Sequence, residues 1–364
     1  MKFKTLYKEL MPAVEKVSKI IPSKATLQAI TGINIKTEKG KVYFKGTNLD
    51  FSIEANIVAD IKQEGEVSVP ASVFLRTVKI LRKPEKINIY TQDNKLVIES
   101  DTENLSINTI DHSDFPTIPK PENASEFEID PKQLIKGFSS VTHSASLSSI
   151  KPELSSVYVY SDTDLVFVAT DQFRLAEKRI NTTVSDFPPT IIPIQNVNEF
   201  IYLLSGEEDK ITVFVDEDQI SFKSSKWYAT SRIVNGSFPD YKNIIPEEFV
   251  AKVTLLKEDF ANSIQKASIF SDKFGKTKLI ANPNENKFII EAQNSDIGSV
   301  SDTPPATVEG ENVEMSFNFK YLKDTIPSIE TDSITLSFAQ KHQPLVIKGV
   351  SDNSYTYIVM PMNQ

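Results

Sequence analysis

The sequence predicts an α+β protein built from three tandem copies of one domain, each with two helices and several antiparallel strands. Landmark residues recur at a fixed spacing, because Pro70 is followed by Pro193 and Phe115 by Phe238, each 123 residues later. The three intervals also share one order of apolar patterns. A period of this length is typical of a small domain rather than of a solenoid unit. We therefore expect three domains, at residues 1–121, 122–247 and 248–364.

Composition is that of an ordinary globular protein, with 40% hydrophobic and 24% charged residues in a chain of 364. No apolar run reaches the roughly 18 residues that a membrane-spanning helix needs. Cysteine is absent, which excludes disulfides and thiol chemistry. We therefore expect a cytoplasmic protein with no membrane partner. The net charge of −9 argues against a general nucleic-acid binder, although a locally basic face is compatible with it.

Each copy is expected to open with an amphipathic helix, because apolar residues recur at helical spacing near its start. In the second copy Pro131 stands at the predicted first helical position, which proline favours. One apolar stripe per helix implies that one face is buried against a sheet and the other is exposed to water. The stripes are Leu6, Leu10, Ala13 and Val17; Leu134, Phe138, Val141 and Ala145; and Phe260, Ile264 and Ala267.

The second half of each copy is expected to hold another helix and a terminal hairpin. The helices are predicted over residues 71–81, 197–204 and 320–329. After each of them, alternating apolar residues flank a short polar turn, which is the pattern of a β-hairpin. These turns fall at residues 92–94, 216–218 and 339–343. Polar, proline-containing stretches at 116–124 and 245–248 are expected to connect the domains.

An enzyme is the main rival hypothesis, but the residue patterns that it would need are missing. The three histidines lie in dissimilar contexts without metal-ligand spacing, and there is no Gly-rich phosphate loop or G-x-S-x-G turn. Asp171 is the best lone carboxylate, and we expect it to be a turn residue that bonds nearby backbone. We therefore expect no catalytic residue, metal or cofactor. A secreted scaffold of β-rich domains is a third class, which the paired helices and the lack of a signal peptide disfavour.

Three motifs, taken in order, resemble one known family. They are ATDQFRLA at 169–176, SFPDYKNIIP at 237–246 and YIVMPMNQ at 357–364. With the repeat, the whole chain resembles the bacterial DNA polymerase III beta subunit, or beta sliding clamp. The resemblance implies a processivity factor that does no chemistry. It would be a head-to-tail homodimer that closes a six-domain ring around duplex DNA, with the helices lining the hole. Such a ring keeps a polymerase at high effective concentration on its template.

The resemblance also implies sequence-independent contact with double-stranded DNA through basic residues on the lining helices. The DNA-facing candidates are Lys24, Arg76, Lys79, Lys136 and Lys151. The chain departs from the family pattern at Gln195-Asn196, where relatives often carry basic residues. Without the resemblance, lysines on an exposed helix face are expected only to keep that surface hydrophilic.

The family has a pocket between its second and third domains that takes short peptides containing Gln and Leu or Phe. The implied partners are the DNA polymerase III alpha subunit, the clamp loader, and other replication and repair polymerases and ligase, which bind through linear motifs. Adaptable methionines suit a site that takes many partners. The pocket residues carried over by motif are Leu154, Thr170, Gln172, Phe173, Arg174, Leu175, Pro239, Asn243, Ile244, Phe274, Asn318, Tyr321, Pro344, Ile358, Met360, Pro361 and Met362.

Two departures from the family pattern bear on this pocket. Relatives commonly have Gly-His where this chain has Gln172-Phe173, and many end in a basic residue and leucine where it has Asn363-Gln364. The location of the pocket is therefore better determined than its preferred peptide. The alternative for the residues from Met360 onward is that they merely finish the last strand.

The subunit contact is expected to join the first domain of one chain to the third domain of the next. The matching positions are Leu105 and Ile107 on an edge strand, facing Ile269 and Phe270. Edge strands invite pairing, and an exposed apolar patch marks an association site. The alternative is that all four are ordinary core residues.

Overall fold

Every repeat runs through the same series of elements: a strand, a helix, a group of strands, a second helix and three further strands. The computed structural model describes residues 1–362. The α-helices in this range are α1 (Tyr7–Ile20), α2 (Ala71–Ile80), α3 (Pro131–Val141), α4 (Ile194–Leu204), α5 (Lys257–Phe270) and α6 (Phe319–Asp324). Single 3-10 turns lie at Gln28–Thr31, Thr142–Ser144, Lys242–Ile244, Pro283–Glu285 and Ile326–Ser328.

The strands follow the repeat as closely as the helices do. The first repeat holds β1 (Lys2–Leu6), β2 (Gly32–Glu38), β3 (Lys41–Thr47), β4 (Phe51–Val58), β5 (Asp60–Gln63), β6 (Gly65–Pro70), β7 (Lys86–Gln92), β8 (Lys95–Glu99) and β9 (Asn104–Asn108). The second holds β10 (Ser125–Ile129), β11 (Ser156–Asp162), β12 (Asp164–Thr170), β13 (Arg174–Ile180), β14 (Thr190–Pro193), β15 (Ile211–Val215), β16 (Gln219–Lys223) and β17 (Trp227–Arg232). The third holds β18 (Ala251–Leu256), β19 (Lys276–Asn282), β20 (Lys287–Asn294), β21 (Gly298–Asp302), β22 (Ala306–Gly310), β23 (Val313–Asn318), β24 (Ser333–Phe338), β25 (Leu345–Gly349) and β26 (Tyr355–Val359).

Within each repeat the strands form two groups with the same internal order. One group is β4-β3-β2-β6, β13-β12-β11-β14 or β21-β20-β19-β23, and the other is β5-β1-β7-β8-β9, β10-β15-β16-β17 or β22-β18-β24-β25-β26. Strand β17 pairs with β4 to make an eight-stranded sheet, and β26 pairs with β13 to make a nine-stranded sheet. Strands β9 and β21 are left at the edges of a five-stranded and a four-stranded sheet.

The chain divides into two compact units, and the central repeat contributes to both. The first unit runs from Met1 to Pro131 and from Asn198 to Ile233, and it contains the eight-stranded and five-stranded sheets. The second unit runs from Lys132 to Val197 and from Val234 onward, and it contains the nine-stranded and four-stranded sheets.

Helices pack on one face of the sheets through apolar stripes. In the second repeat the predicted stripe runs too far, because α3 ends at Val141 and Ala145 lies beyond it, after a 3-10 turn. In α1 the side chains of Leu10, Val14 and Val17 are fully buried, and the helix packs on β3 and β4. Close approach is built into the sequence at Gly137 of α3, where a Cβ atom would lie 2.3 Å from the Phe167 ring on β12. Burial of this kind stabilises the fold at roughly 25 cal/mol for each Å² of apolar surface removed from water.

The prediction that each repeat opens with a helix is wrong, because a short strand comes first. In β1 the side chains of Phe3 and Thr5 are buried while Lys2 and Lys4 are exposed, which is the period of two that a strand requires. Leu6, predicted as the first residue of a helical stripe, is the last residue of β1. Strands β10 and β18 open the other repeats in the same way.

Two helix boundaries also differ from the prediction. Helix α4 begins at Ile194, directly after Pro193, three residues before the predicted start. Helix α6 ends at Asp324, and a separate 3-10 turn that contains Pro327 follows it. A proline removes a backbone donor and disfavours helical geometry in the residue before it, so the predicted helix is split in two.

Two classes of feature are missing from the part of the chain that the structure describes. Within residues 1–362, no helix is both long enough and apolar enough to cross a membrane. In the same range, no three His, Asp or Glu side chains come together in a way that could hold a metal ion.

Candidate partner-binding site

The ATD segment forms a tight turn between β12 and β13. The Asp171 carboxylate accepts hydrogen bonds from the backbone N–H groups of Phe173 at 2.9 Å and Arg174 at 3.0 Å. The Thr170 hydroxyl donates to the carbonyl oxygen of Arg174 at 2.7 Å and accepts from the N–H of Gln172 at 3.2 Å. Asp171 is thus occupied as a turn residue. The turn leaves the Phe173 side chain 60% exposed.

The Arg174 guanidinium connects this turn to helix α6. Its Nε donates to Asp171 Oδ2 at 3.0 Å, and its Nη1 donates to Asp324 Oδ2 at 2.6 Å. The guanidinium carbon lies 4.5 Å from the centre of the Tyr321 ring. The Arg174 side chain is only 12% exposed, so water screens these interactions less than it screens a surface ion pair. Arg174 therefore fixes the ATD turn of the second repeat against Tyr321 of the third.

His143 is kept neutral close to this network. Burial, followed by the positive charge of Arg174, lowers the pKa of His143 from 6.5 to about 4. The centre of its ring lies 5.6 Å from that of Tyr357, and its Nε2 has no hydrogen-bond partner among the described residues. The imidazole is therefore uncharged at neutral pH, because a protonated ring here would be both buried and next to a cation.

The end of the chain docks beside the ATD turn. Past the end of β26, the Met360 N–H donates to the carbonyl oxygen of Phe173 at 2.8 Å, and the Met362 N–H donates to that of Ser316 at 2.7 Å. The Met360 side chain is 37% exposed, and Pro361 and Met362 are half-buried. These residues therefore lie beyond the last strand rather than finishing it. The departure from the family pattern at Asn363-Gln364 lies outside the described residues.

The third repeat presents an exposed aromatic ring beside α6. Phe274 is 62% exposed, on a turn that Asp272 holds by accepting from its N–H at 2.9 Å. Asn318 caps α6 by accepting from the Lys320 N–H at 2.9 Å, and its Nδ2 donates to the carbonyl oxygen of Phe274 at 3.2 Å. One asparagine thus fixes the start of α6 relative to the turn that carries Phe274.

The connector after the second repeat is anchored by a buried tyrosine. The Tyr241 hydroxyl lies 2.7 Å from that of Tyr160 and donates to Glu177 Oε2 at 2.5 Å. Burial, and then the bond to Glu177, raises the pKa of Tyr241 far above its usual range. Phe238 stacks on Tyr158 with ring centres 4.8 Å apart. The anchored segment carries three candidate residues, of which Pro239 and Asn243 are exposed and Ile244 is 52% exposed.

The floor of the candidate site is one apolar cluster on the nine-stranded sheet. Leu175 and Ile358, paired across β13 and β26, are at most 3% exposed within it. The other buried members are Tyr160, Val166, Val168 and Tyr241. Of the remaining candidates, Leu154, Thr170 and Pro344 are also buried in the second unit. The recorded contacts therefore bring the ATD turn, α6, the connector and the end of the chain together on this sheet.

At the junction in the first unit, two positions equivalent to members of this apolar cluster are polar. Positions 123 residues earlier than Val168 and Leu175 hold Lys45 and Ser52. The Ser52 hydroxyl is bonded to that of Thr47 at 2.8 Å. A peptide that anchors through leucine or phenylalanine needs apolar surface to bury. In the second unit the apolar cluster on the nine-stranded sheet offers that surface.

Sequence reasoning missed four residues that position this site: Tyr241, its partners Glu177 and Tyr160, and Asp324. Glu177 and Tyr160 hold the connector, and Asp324 holds Arg174. Tyr241 lies inside the motif quoted for the family, so its sequence carried a signal. Asp324 lies 150 residues from its partner Arg174, and nothing in its own surroundings distinguishes it from other acidic residues at helix ends.

Comparison with known proteins assigns the whole chain to one family. Family models described as the N-terminal, central and C-terminal domains of the DNA polymerase III beta subunit match residues 1–119, 128–240 and 242–363. The chain belongs to the DNA polymerase III beta subunit family. The beta sliding clamp of Staphylococcus aureus is 26% identical over 356 residues, which cover 94% of each chain.

Solved structures of beta subunits have the same fold. The sliding clamp of Bacillus subtilis superimposes with a TM-score of 0.95 at 26% identity, over 100% of this chain and 99% of the other. The beta subunit of Thermotoga maritima gives 0.93 at 26% identity with the same coverage. The predicted three-domain clamp fold with mixed helix and sheet content is therefore confirmed.

The DNA-facing candidates of this beta-subunit chain differ in what they already contact. Lys79 Nζ lies 2.8 Å from Glu15, and Lys136 Nζ lies 2.8 Å from Glu330. Arg76 donates to the backbone of its own helix. Lys24 and Lys151 are exposed in the loops after α1 and α3, and neither forms an ion pair within the described residues. These two are the candidates most available to a phosphate.

The positions expected at the subunit contact lie at two free sheet edges. On β9, Leu105 is half-buried and Ile107 is 5% exposed, so the latter belongs largely to the core of its own sheet. At the end of α5, Ile269 is 60% exposed. A Cβ atom on Gly298 of β21 would lie 3.7 Å from the ring of Phe270, which places that ring beside the edge strand. Ile297, also exposed at 62%, adds to this apolar surface and was not predicted.

Proposed function

We propose that the protein is a sliding clamp that makes a DNA polymerase processive, acting as a head-to-tail homodimer around duplex DNA in the cytoplasm. Membership of the beta subunit family supports this function, as do relatives named beta sliding clamp that match over nearly the whole chain. The proposal assigns it no catalytic role. Its three domains are taken as residues 1–121, 122–247 and 248–364.

The proposed ring rests on one observation: consecutive repeats are joined by the same strand pairing at both junctions. In both junctions the last strand of one repeat pairs with the third strand after the first helix of the repeat before it: β17 with β4, and β26 with β13. Two strands have no such partner from a neighbouring repeat. They are β9, the last strand of the first repeat, and β21, the equivalent of β4 and β13. Pairing β9 of one chain with β21 of another extends this strand pairing to every repeat.

This contact is heterologous, because the two surfaces that meet are different. Heterologous contacts build either closed rings or open filaments, according to the rotation between neighbours. Two chains of three repeats would place six equivalent junctions around a closed ring. Ring closure also covers the edges of β9 and β21, which otherwise invite unwanted strand pairing.

Charge supports DNA on the helical side of such a ring. The α-helices within residues 1–362 carry 11 Lys and Arg against six Asp and Glu. The whole chain has a net charge of −9, so the surface outside the helices is more acidic still. A modest excess of cations facing the duplex gives weak contacts with phosphates that carry no sequence preference, as sliding requires.

The candidate partner-binding site gives the ring its connection to the replication machinery. Its apolar floor and exposed Phe173, Phe274 and Met360 suit the short apolar motifs of linear peptides. The proposed partners are the DNA polymerase III alpha subunit, the clamp loader, and other replication and repair polymerases and ligase. Binding two or more modules to one encircling ring converts rebinding into an intramolecular event.

The deciding experiment compares retention on closed-circular and linear DNA. The protein is loaded onto nicked circular plasmid by a related clamp loader with ATP, and the complex is isolated by gel filtration before and after the plasmid is linearised. Encirclement predicts retention on circles and loss through the free ends, because weak phosphate contacts alone cannot hold the ring in place. Equal retention on both forms would mean ordinary surface binding. No retention with a loader that loads its own clamp would reject the function.

A further inference from the structure

A groove crosses the eight-stranded sheet of the first unit on the face that the helices do not cover. Glu54 of β4 lies opposite both Lys45 and Tyr228, and Tyr228 lies opposite Lys223, so these four side chains project from one face. The adjacent residue Ile53 is fully buried, because it projects from the opposite face, on which α1 packs.

The groove has the size of a ligand site and a rim of lysines. Its volume is about 500 Å³, within the range of sites that bind small molecules or a few side chains. The connector between the first two repeats forms one wall through Lys120 and Pro121. The lining residues used below are Lys41, Glu54, Lys120, Phe214, Lys223 and Tyr228.

The groove carries positive charge that its own residues do not neutralise. Glu54 is its only acidic lining residue, and it is already shared by Lys120 at 3.3 Å and Lys45 at 3.8 Å. Lys41 and Lys223 are exposed and have no carboxylate partner within the described residues. On a chain of net charge −9, this is a local reversal of sign. At physiological salt it acts over only about 8 Å, so it selects a ligand that enters the groove.

Two aromatic side chains lie at the floor of the groove, and hydrogen bonds hold one of them in place. The buried Tyr228 ring lies 3.7 Å below the Lys120 ammonium, and its hydroxyl is fixed by the carbonyl oxygen of Pro119 and the hydroxyl of Ser221, both at 2.9 Å. Phe214 is half-exposed beside it. The base of the groove is therefore preformed, and Phe214 offers an aromatic surface for one apolar side chain between cationic walls.

We infer that this groove is a second docking site, which binds an acidic peptide segment carrying one aromatic or aliphatic side chain. The carboxylates of the segment would pair with Lys41 and Lys223, and its apolar side chain would lie on Phe214. A nucleic-acid strand fits less well, because its unbroken row of phosphates would have to pass the Glu54 carboxylate in the centre. The groove is distinct from the candidate pocket of the second unit, because the two sites are built on different sheets and share no lining residue.

The test is a fluorescence anisotropy titration of the full-length protein with a labelled nine-residue peptide, phenylalanine flanked by four glutamates on each side. The expected result is saturable binding that weakens as salt rises and is absent for the same peptide with glutamines. Reversing two lysines together, Lys41→Glu with Lys223→Glu, should weaken binding by roughly tenfold or more, since both charged contacts become repulsive. Both residues are exposed, and circular dichroism verifies that the variant folds.

Three comparisons make the result decisive. The variant Lys62→Glu with Lys95→Glu, which makes the same change in net charge elsewhere in the first unit, should bind as the unaltered protein does. The variant Phe274→Ala with Met362→Ala, which damages the candidate pocket, should also bind the acidic peptide as the unaltered protein does. The test of the groove is therefore independent of whether the candidate pocket binds peptides. The inference is overturned by a lack of saturable binding, by equal losses in the two charge-reversal variants, by loss in the pocket variant, or by displacement of the peptide by a ten-nucleotide oligo-dT.

Discussion

At the scale of single residues, the ATD turn depends on one backbone conformation. Gln172 has a φ of 77°, in the left-handed region that glycine enters freely and other residues enter at a cost. The bonds that Asp171 and Thr170 make to the turn hold the backbone in this conformation. The family commonly has glycine at this position, and the observed φ gives the physical reason. This chain accepts strain in exchange for a polar side chain at the rim of the candidate pocket.

Replacing Gln172 by glycine is therefore expected to stabilise the protein. Removal of the Cβ strain should raise the free energy of unfolding by roughly 0.5–1 kcal/mol, after allowance for the greater entropy of glycine in the unfolded chain. Urea denaturation followed by circular dichroism measures the change. The control is Phe173→Gly, at a position with negative φ, where glycine should only destabilise. A lower midpoint for Gln172→Gly than for the unaltered protein would show that the turn is unstrained.

His143 should make stability fall in mild acid. The folded state holds the pKa of His143 at about 4 instead of 6.5, so the unfolded state binds a proton more readily. The neutral imidazole of His143 therefore contributes about 3 kcal/mol to the free energy of unfolding. The contribution is fully present above pH 6.5 and is lost as the pH falls through 4. Urea denaturation at pH 7, 5.5 and 4 should show a shallower decline for His143→Gln than for the unaltered protein. Parallel declines would show that the imidazole titrates normally.

Two side chains, the exposed Phe274 and the half-buried Met362, should dominate peptide binding at the candidate pocket. We expect Phe274→Ala with Met362→Ala to weaken binding of a peptide with a Gln-Leu-Phe motif by roughly tenfold or more, because hot spots are few and apolar. Ring assembly should not change. Fluorescence polarisation measures the affinity, and Leu147→Ala with Phe249→Ala, two exposed apolar residues elsewhere in the second unit, is the control. Unchanged affinity in the pocket variant would reject the assignment.

At the scale of elements, features encoded by neighbouring residues were the ones that sequence could predict. The hairpin turn between β7 and β8 is an example, since Asp93 and Asn94 both adopt positive φ, as a two-residue turn requires. Strand β1 was missed because five residues of alternating pattern precede a longer helical stripe without a break. The pairing of β26 with β13 was also beyond prediction, since it joins segments about 180 residues apart with no local signal.

The proposed pairing of β9 with β21 has a defined register. In the two observed junctions Ala229 lies opposite Ile53 and Tyr357 lies opposite Ala176. Ile53 and Ala176 are equivalent positions, because they pair with Gly46 and Ala169, which are 123 residues apart. The residue that pairs with position 292, a further 123 residues along, is Val300.

The partner of Val300 follows from the same reasoning. Leu105 lies opposite Ile98, and Ala229 lies opposite Phe222. Phe222 is the equivalent of Ile98, 124 residues later, so Leu105 is the equivalent of Ala229. Leu105 of one chain is thus expected to face Val300 of the next. At the junction of β26 with β13 the equivalent pair is Tyr357 and Ala176. Hydrogen-bonded pairs lie three residues away on either side of it, and the two kinds of pair alternate along the strands. Tyr357 and Ala176 therefore form a non-hydrogen-bonded pair. Such pairs have Cα atoms about 4.5 Å apart, within reach of a disulfide.

A cysteine pair should therefore link the subunits covalently. The chain has no cysteine of its own, so Leu105→Cys with Val300→Cys offers only the intended disulfide. Mild oxidation should convert most of the protein to a dimer on a non-reducing gel. The matched control, Leu105→Cys with Asp302→Cys, is displaced by one side-chain repeat, about 7–8 Å away, and should cross-link poorly. Equal cross-linking of the two pairs would contradict the register.

At the scale of the whole molecule, one joining rule serves contacts within and between chains. The internal junctions are covalently tethered, whereas the proposed subunit contact has to hold by its own surface. The apolar group at the edge of β21 fits that need, because the exposed Ile269 and Ile297 and the half-buried Phe270 lie beside the free edge of that strand. Ile269 and Phe270 are contact candidates that the family resemblance implies. Nothing in the sequence marked Ile297 as a contact residue, because a single isoleucine among polar residues can equally well be buried in a core.

Truncating this patch should dissociate the dimer. We expect Ile269→Ala with Phe270→Ala to yield monomers, since the interface would lose most of its apolar area while the strand edges alone bind weakly. Light scattering at micromolar concentration measures the mass. A control variant, Val58→Ala with Ile80→Ala, removes two exposed side chains of the first unit and should remain dimeric. A dimer mass for the first variant would reject this surface as the contact.

The position of β26 has a consequence for folding of the chain during its synthesis on the ribosome. Strand β13 begins at Arg174, but the strand that completes its sheet begins at Tyr355 and is made about 180 residues later. At roughly 5–20 residues per second, the nascent β13 waits on the order of 10–40 seconds for its neighbour. Throughout that interval an unsatisfied ladder edge beside apolar side chains emerges into a crowded cell. Slow translation or a shortage of ribosome-bound chaperones should therefore harm the yield of this protein more than that of one whose sheets close locally.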